Sequence, residues 1–415
     1  MMEGTAYPRF TMARLEEALA DSPVVLIHGP RQCGKTTLAL EFAAAKQYAY
    51  FSFDDPVILS SAMADPAGFI AGLPERVILD EVQRAPVIFS AIKLTVDRKR
   101  TPGRFILTGS ANVLLVPHLS DSLAGRMAIL RLHPLAQCEL ARRDPLLIDR
   151  IFDGRFKTRQ FTRLGQELAA RVAAGGFPAA LARSTDRRRQ SWYRDYVDTI
   201  ASRDVRDMSR IASLDALPRL MTLAAGQTGR LSNISELAAP FQLSRTTIRD
   251  YVTLLERVFL IEHLSPWHSN RLSRLVKSPK LHLCDSGVAC SLLGLDGKSL
   301  WEDRAAFGQL LETFVFQELR RLASWHERDV RFHHYRDKDG YEVDIVLEDH
   351  AGKIAGVEVK ASATVTSTDF RGIKRLKEAT ANRFTSGIVL YDGETCVGFG
   401  EGLYAVPIRA LWEPM

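Results

Sequence analysis

Cysteine is scarce in this chain of 415 residues. The five that occur, Cys33, Cys138, Cys284, Cys290 and Cys396, are odd in number, scattered, and never paired as Cys-x-x-Cys. This excludes a disulfide framework and a cysteine zinc site, and it fits a reducing compartment such as the cytoplasm. Long apolar runs are missing as well. No stretch is long enough to cross a bilayer, and "MMEGTAYPRFTMARLEEALA" lacks the apolar core of a signal peptide, so neither a membrane partner nor an export route is expected. Acidic charge is thin in one place. Residues 141–280 hold 25 Lys/Arg against 14 Asp/Glu, inside a chain whose formal total is only +6. The basic excess is therefore regional. Such a region suits a phosphate-backbone partner, DNA before RNA, and equally suits a surface that merely keeps a domain soluble. The length predicts about two to four domains, each with its own core.

What is present begins with "SPVVLIHGPRQCGKTTLALEFAAA". Val24 to Ile27 reads as a short buried strand, and an amphipathic helix starts near Lys35. Between them lies a GxxxxGKT loop, Gly29, Pro30, Arg31, Gln32, Cys33, Gly34, Lys35 and Thr36, with Thr37 next, and all nine are expected to line the nucleotide. The glycines permit a turn whose N–H groups surround phosphate oxygens, Lys35 reaches the β- and γ-phosphates, and the Thr36 hydroxyl goes to magnesium. The helix N-terminus adds its dipole. A strand before and a helix after separate this loop from a chance glycine turn.

A second buried-type strand, in "RVILDEVQ", ends in two acids. Asp80 is expected in the magnesium shell, and Glu81 is expected to orient the attacking water, a division of labour that hydrolysis requires. That second acid and the helix-turn-helix described below disfavour a small-molecule kinase. A third strand, "RFILTGS", brings Thr108 and Ser110 toward the γ-phosphate. Alternating strands and helices with chemistry at the strand ends predict a parallel α/β sheet. Arg126 in "SLAGRMAIL" is open to two readings, a finger on the transferred phosphate or a structural salt bridge.

"HGPRQCGKTTL", "ILDEVQRAPVIFSAIK", "FILTGSAN", "SLAGRMAILRLHPL" and "GGFPAAL" together resemble the AAA+-type ATPases of bacteria and archaea that carry a DUF4143 C-terminal region. The resemblance covers nearly the whole chain. It implies an ATP site with Mg²⁺ made of Gly34, Lys35, Thr36, Asp80, Glu81, Ser110 and Arg126. A departure at Ala179, where an acid usually follows the GGFP stretch, leaves that stretch without a chemical role.

From about Ala141 to Gly226 the chain reads as arginine-rich helices, either a solvated face, a lid over the nucleotide, or a track for a nucleic-acid backbone. In "LSNISELAAPFQLSRTTIRDYVTLLERVFLIEHLSPW" a short helix near Ile234 is followed by a break at Gln242 to Ser244 and a second helix. Asn233 with Glu236 has capping-box spacing, and Ser244 is a natural N-cap. Ile248, Val252, Leu255 and Phe259 make the buried stripe of the second helix. Arg245, Thr246, Thr247 and Arg249 are left at its exposed N-terminal end, where a recognition helix meets the major groove. "FLIEHL" forms the wing. Asp285 in "KSPKLHLCDSGVACSLLG" is expected to be structural.

The final segment places Glu312 on a buried helix and then a hairpin, "GYEVDIVLEDHAGKIAGVEVKAS". Alternation along its strands puts Asp344, Glu358 and Lys360 on one face. Asp and then Glu-x-Lys after a helical Glu is the pattern of the PD-(D/E)xK nuclease fold, in which carboxylates hold a metal and the lysine steers water. The same residues also suit a half-solvated pair with a surface ion ladder. The expected architecture is thus α/β: an AAA+-type P-loop parallel-sheet domain (1–140), a helical subdomain (141–226), a winged helix-turn-helix (227–268) and a nuclease-like domain (269–415). Two functions are carried forward. One is a DNA-associated, Mg²⁺-dependent ATPase coupled to a nuclease-like domain. The other is an ATP-dependent switch whose nuclease-like domain is inert and binds DNA or a protein. A homo-oligomer is implied if Arg126 acts between copies.

Overall fold

The continuous apolar runs VVLIH, VILD and FILTG are strands buried on both faces, and they set the architecture of the first half of the computed structural model. The structure describes residues 7–110, 123–201, 216–241, 243–270, 274 and 278–414. The expected break at Gln242 and the end of the arginine-rich run, 202–215, lie outside the described residues. The chain divides into two units. One comprises Pro8–Pro134 with Arg257–Phe259, and the other takes the remainder.

In the first unit, β1 (Val24–His28), β2 (Ala49–Ser52), β3 (Val77–Asp80), β4 (Phe105–Gly109) and β5 (Met127–Arg131) form a parallel sheet in the order β2-β3-β4-β1-β5. Alternate residues of each strand feed opposite cores. Val24, Leu26, Val77, Leu79, Phe105 and Leu107 pack with helix Ile88–Arg98 on one side. Val25, Ile27, Ile78 and Ile106 pack with helices Thr11–Asp21 and Lys35–Lys46 on the other. Because every strand runs the same way, His28, Ser52, Asp80, Gly109 and Arg131 end along one edge. Loops that leave that edge are where such sheets place ligands.

The second unit holds β6 (Arg159–Gln160), β7 (Arg230–Leu231), β8 (Ile261–Leu264) and β9 (Lys280–Leu283), followed by β10 (Val330–Arg336), β11 (Glu342–Asp349) and β12 (Ile354–Lys360). It ends with β13 (Phe384–Tyr391), β14 (Thr395–Gly398) and β15 (Leu403–Pro407). A small antiparallel sheet, β7-β9-β8, accompanies helices Ala216–Gly226, Ile234–Ala238 and Arg245–Arg257. The Asn233 side chain accepts from Ser235 and Glu236 N–H groups and caps the second of these helices, while Ser244 Oγ accepts from the Thr247 N–H to begin the third. Ile248, Val252 and Leu255 are buried as their spacing predicts. Phe259 is buried too, but beyond the helix end, at a left-handed φ of +61°, and it groups with the first unit.

The other sheet is mixed and seven-stranded, in the order β10-β11-β12-β13-β15-β14-β6. The hairpin β11/β12 forms in the register that opposes Ile345 to Val357. Its tight turn is closed by Asp349, whose carboxylate accepts from the Lys353 N–H at 2.9 Å. Helix Arg304–Trp325 buries Phe307, Leu311, Phe314, Val315 and Leu319, which leaves almost no wet face. Among the described residues, no helix is long and apolar enough to cross a membrane.

Candidate functional site

The loop after β1 is shaped by backbone that only glycine tolerates. Gly29 has φ +151°, and a Cβ there would lie 2.1 Å from the Leu132 carbonyl oxygen. Gly34 has φ +101° and stands at the N-cap of helix Lys35–Lys46. Cys33 is buried, with its thiol 3.4 Å from the Leu132 carbonyl, and its own carbonyl accepts from Arg9 at 2.7 Å. Lys35 is buried, and its ammonium donates to the Gly29 and Pro30 carbonyls at 3.0 and 2.8 Å. Pro30 is buried, Arg31 is half-buried, and Gln32 and Thr37 face solvent.

Asp80 sits at the end of β3 with three hydroxyls on its carboxylate. Thr36 donates at 3.1 Å, Tyr50 at 2.7 Å, and Thr108 contacts the same group. Burial and then this hydrogen bond to Asp80 raise the Tyr50 pKa. Glu81, next along, adopts a left-handed φ of +57°, a costly conformation for a residue with a Cβ. It turns the side chain away from Asp80's partners, and Ser110 (3.1 Å) and Gln83 hold its carboxylate instead. The arrangement brings Lys35, Thr36, Asp80, Glu81 and Ser110 to one edge. Thr36 and Asp80 are a hydroxyl and carboxylate already in contact, the donor set that suits magnesium beside a phosphate, so the residues fit a Mg²⁺–nucleotide.

Arg126 is not brought there. It precedes β5, at the strand end opposite the loop, roughly 15 Å away by strand length, where Nε and NH2 pair with Asp97 at 2.5 and 3.1 Å. Of its two readings, the salt bridge is the one it occupies. His28, which the sequence did not single out, ends β1 directly before Gly29. It is buried edge-to-face against Phe259 at 5.5 Å, and burial, with Arg131 and Lys35 nearby, holds its pKa down at about 4.

The second constellation is the hairpin face. Asp344, Glu358 and Lys360 do share it, and Glu312 from helix Arg304–Trp325 joins them. Lys360 donates to Glu358 at 2.9 Å, and one Asp344 oxygen accepts from the Val359 N–H at 2.9 Å. A fifth residue, absent from the expectation, completes the group. Lys280 of β9 is 4 % exposed, and its ammonium donates to Glu312 Oε1 at 2.7 Å and Asp344 Oδ1 at 3.2 Å. Burial and the neighbouring Asp344 raise the Glu312 pKa to about 8 against the pull of Lys280, and the same causes raise that of Glu358. Burial pulls the Lys280 pKa down, but Asp344 and Glu312 outweigh it and the net shift is upward. These residues do not fit a divalent metal, because an ammonium stands between the carboxyls that would bind it. Among the described residues, no group of three or more His, Cys, Asp or Glu side chains is arranged to hold a metal ion.

Asp285 is buried in a lock. It accepts from Arg321 at 2.8 Å, the Gly176 N–H at 2.8 Å and the Tyr193 hydroxyl at 3.2 Å, while Arg321 also reaches Glu318 at 2.6 Å. The GGFP stretch and Asp285 thus serve packing, as expected of Asp285. Arg245, Thr246 and Arg249 are exposed on the first turns of their helix, and Thr247 is half-buried with its hydroxyl 2.8 Å from that of Ser244.

Comparison with known proteins gives three matched segments along the chain. Residues 21–141 match the model of an AAA domain, 307–411 match a domain of unknown function, DUF4143, and 165–299 match another, DUF8612. Uncharacterized proteins of Mycobacterium tuberculosis and Mycobacterium bovis are each 29% identical over 401 residues, covering 96% of this chain and 83% of theirs. One from Methanocaldococcus jannaschii is 22% identical over 395 residues, covering 92% of this chain and 85% of its own. Among solved structures, a Walker-type ATPase of Pyrococcus abyssi is similar at 15% identity, covering 69% of this chain and 96% of its own, with a TM-score of 0.44. The RuvB Holliday junction branch migration motor of Thermotoga maritima is similar at 20% identity, covering 62% and 89%, with a TM-score of 0.30.

Proposed function

We propose that this chain, whose residues 21–141 match the model of an AAA domain and 307–411 that of DUF4143, binds ATP with Mg²⁺, hydrolyses it, and uses the cycle to switch a DNA-associated second unit. The observation that carries this is the separation of tasks between adjacent acids. Asp80 holds Thr36, while Glu81 is turned off by its left-handed backbone and held by Ser110 and Gln83. Lys35 exchanges the Gly29 and Pro30 carbonyls for β- and γ-phosphate oxygens when nucleotide enters, so the loop carbonyls keep the ammonium in place until then. Thr36 and Asp80 would hold the magnesium ion, which supplies charge neutralisation between the phosphates. Glu81 then orients a water and accepts its proton, and Ser110 keeps that carboxylate aimed. Lys35→Ala abolishes nucleotide binding or turnover. Glu81→Gln binds ATP and slows phosphate release on the order of a hundredfold or more; normal turnover in Glu81→Gln removes the assignment.

The second unit supports the DNA part of this reading through its order of elements. What supports a winged helix-turn-helix reading is three helices with β7 after the first, the β8–β9 pair after the third and a sheet ordered β7-β9-β8, a set that reaches from Ala216 to Leu283 and so beyond residues 227–268. Arg245 and Arg249 lie exposed where such a module meets phosphate or base edges. The acid centre favours the switch over a coupled nuclease, since Lys280 takes the place between its carboxyls. Incubation with plasmid and single-stranded DNA in Mg²⁺ or Mn²⁺ tests this: cleavage lost in Asp344→Ala restores the nuclease. With Arg126 at the far edge of its own sheet, a finger role requires a second copy. Sedimentation with a non-hydrolysable ATP analogue checks for a homo-oligomer that Arg126→Ala weakens.

A further inference from the structure

We propose that Lys280 is the resident cation of the acid centre, seated where a nuclease-like fold would place a divalent metal, so that the native centre takes neither Mg²⁺ nor Mn²⁺. This rests on the reading of the second unit as nuclease-like in build. It goes beyond that reading by naming the group that disarms the centre and by stating what its removal creates.

The lysine is built in. Its strand, β9, is the middle one of its sheet, with Leu231 of β7 opposite Lys280 on one side and Leu264 of β8 on the other. The backbone that carries the side chain is therefore fixed from both edges. The sheet and the turn that leads into it are tied to the acid-bearing helix at several further points. Gln309 donates to the Gly226 and Thr228 carbonyls at 2.9 and 2.8 Å, the Thr228 and Thr313 hydroxyls meet at 2.8 Å, and Gln317 donates to the Leu283 carbonyl at 2.8 Å. The turn before β7 closes in as well, since a Cβ on Gly229 would lie 3.3 Å from Glu312 Oε2. With the helix and the strand held this way, the ammonium has no easy exit.

Four of the six carboxyl oxygens are also spoken for. Asp344 gives Oδ1 to Lys280 and Oδ2 to the Val359 N–H, and Glu312 gives Oε1 to Lys280. Glu358 shares Oε1 with Lys360, and its Oε2 is buried without a hydrogen-bond partner. A hard divalent cation needs about six oxygen ligands, and entry here means displacing an ammonium from two carboxyls at once and then standing beside it. The two remaining oxygens, Glu312 Oε2 and Glu358 Oε2, do not offset that. Lys280 also comes from a different strand than the lysine of the Glu-x-Lys pair, so it is an addition to the nuclease pattern and not the pattern's own lysine.

The idea is tested on the nucleotide-free full-length chain titrated with Mn²⁺, reading free ion by electron paramagnetic resonance. Subtracting the same titration of Asp344→Asn removes any ion held at Thr36 and Asp80. Wild type is expected to show no Asp344-dependent site, whereas Lys280→Met gains one per chain that is lost again in Lys280→Met/Asp344→Asn. An Asp344-dependent site in wild type overturns the proposal, and so does a folded Lys280→Met chain that binds no ion. Should Lys280→Met fail to fold, Lys280→Met/Glu312→Gln withdraws one acid with the ammonium. It gains the ion through Asp344 and Glu358 if the proposal holds, and its failure to do so overturns it. Plasmid cleavage on the same samples separates the two claims. Wild-type cleavage lost in Asp344→Ala sinks the switch reading as well, while a wild-type Mn²⁺ site without cleavage sinks only the role of Lys280.

Discussion

The nucleotide site and the acid centre use the same residue types and arrive at opposite states. Each has acids at strand positions and a buried lysine. In the first unit the acids hold neutral hydroxyls, from Thr36, Tyr50 and Thr108 on Asp80 and from Ser110 on Glu81, and Lys35 rests on two carbonyls. In the second, the carboxyls of Glu312 and Asp344 hold an ammonium. Hydroxyls and carbonyls give way to a metal and a phosphate at little cost, because both have partners to exchange. A buried ammonium between carboxyls does not, since removing it exposes opposite charge in a dry place. Readiness for a ligand is therefore a property of what the acids already hold.

The sharpest way to break this contrast is to remove each lysine and measure folding. Lys280→Met is expected to destabilise the chain by about 3–5 kcal/mol, the usual cost of orphaning one side of a buried ion pair. Lys35→Met should cost less, about 1–3 kcal/mol, because it forfeits hydrogen bonds to carbonyls and no opposite charge, while abolishing ATP turnover. Denaturant unfolding of both variants checks the order. Equal losses would mean that the two lysines do the same structural work.

A second test uses protonation in the first unit. His28 is 7 % exposed, and its folded pKa of about 4 lies below its ordinary 6.5. The unfolded chain therefore binds the proton first. The contribution of neutral His28 is complete above pH 6.5 and is lost as the pH falls toward 4. Between pH 7 and pH 4 the wild type should lose about 3 kcal/mol more than His28→Asn. Urea midpoints for both chains at the two pH values decide it, and parallel losses would show that His28 is charged in the fold.

These contrasts mark what the sequence could convey. Local signals were legible: the apolar runs became strands, the GxxxxGKT spacing became the loop, and two-residue alternation brought Asp344, Glu358 and Lys360 together. Signals spread over distance were not. Lys280 stands 32 and 64 residues from the two acids it joins, inside "SPKLHLC", where it reads as one more edge of a strand. Tyr50 and Gln83 likewise reach their acids only through sheet order and a strained turn. Arg126 was readable in principle. It precedes its strand, and in a parallel sheet that alone places it opposite the loop. Phe259 kept the helical spacing of its stripe, but the helix ends at Arg257 and the left-handed backbone carries the ring elsewhere.

The smallest effect expected concerns the surface and not either buried site. If the second unit follows a DNA backbone, Arg245 and Arg249 act as exposed charges, so replacing either with Ala is expected to leave the fold intact. Each contact to phosphate that disappears lowers the slope of log affinity against log salt by about 1. Binding to a fluorescent duplex, titrated across salt concentrations, reads this directly for the single variants and the pair. A slope unchanged in the double variant would move the DNA contact off this helix, and the basic excess of residues 141–280 would then be a matter of solubility. A slope that falls by about 2 in the pair, with ATP turnover untouched, would place a second phosphate-binding surface in the same unit as the acid centre. Phosphate recognition there would then rest on mobile surface cations, while the buried cation beside Glu312 and Asp344 takes no part in it.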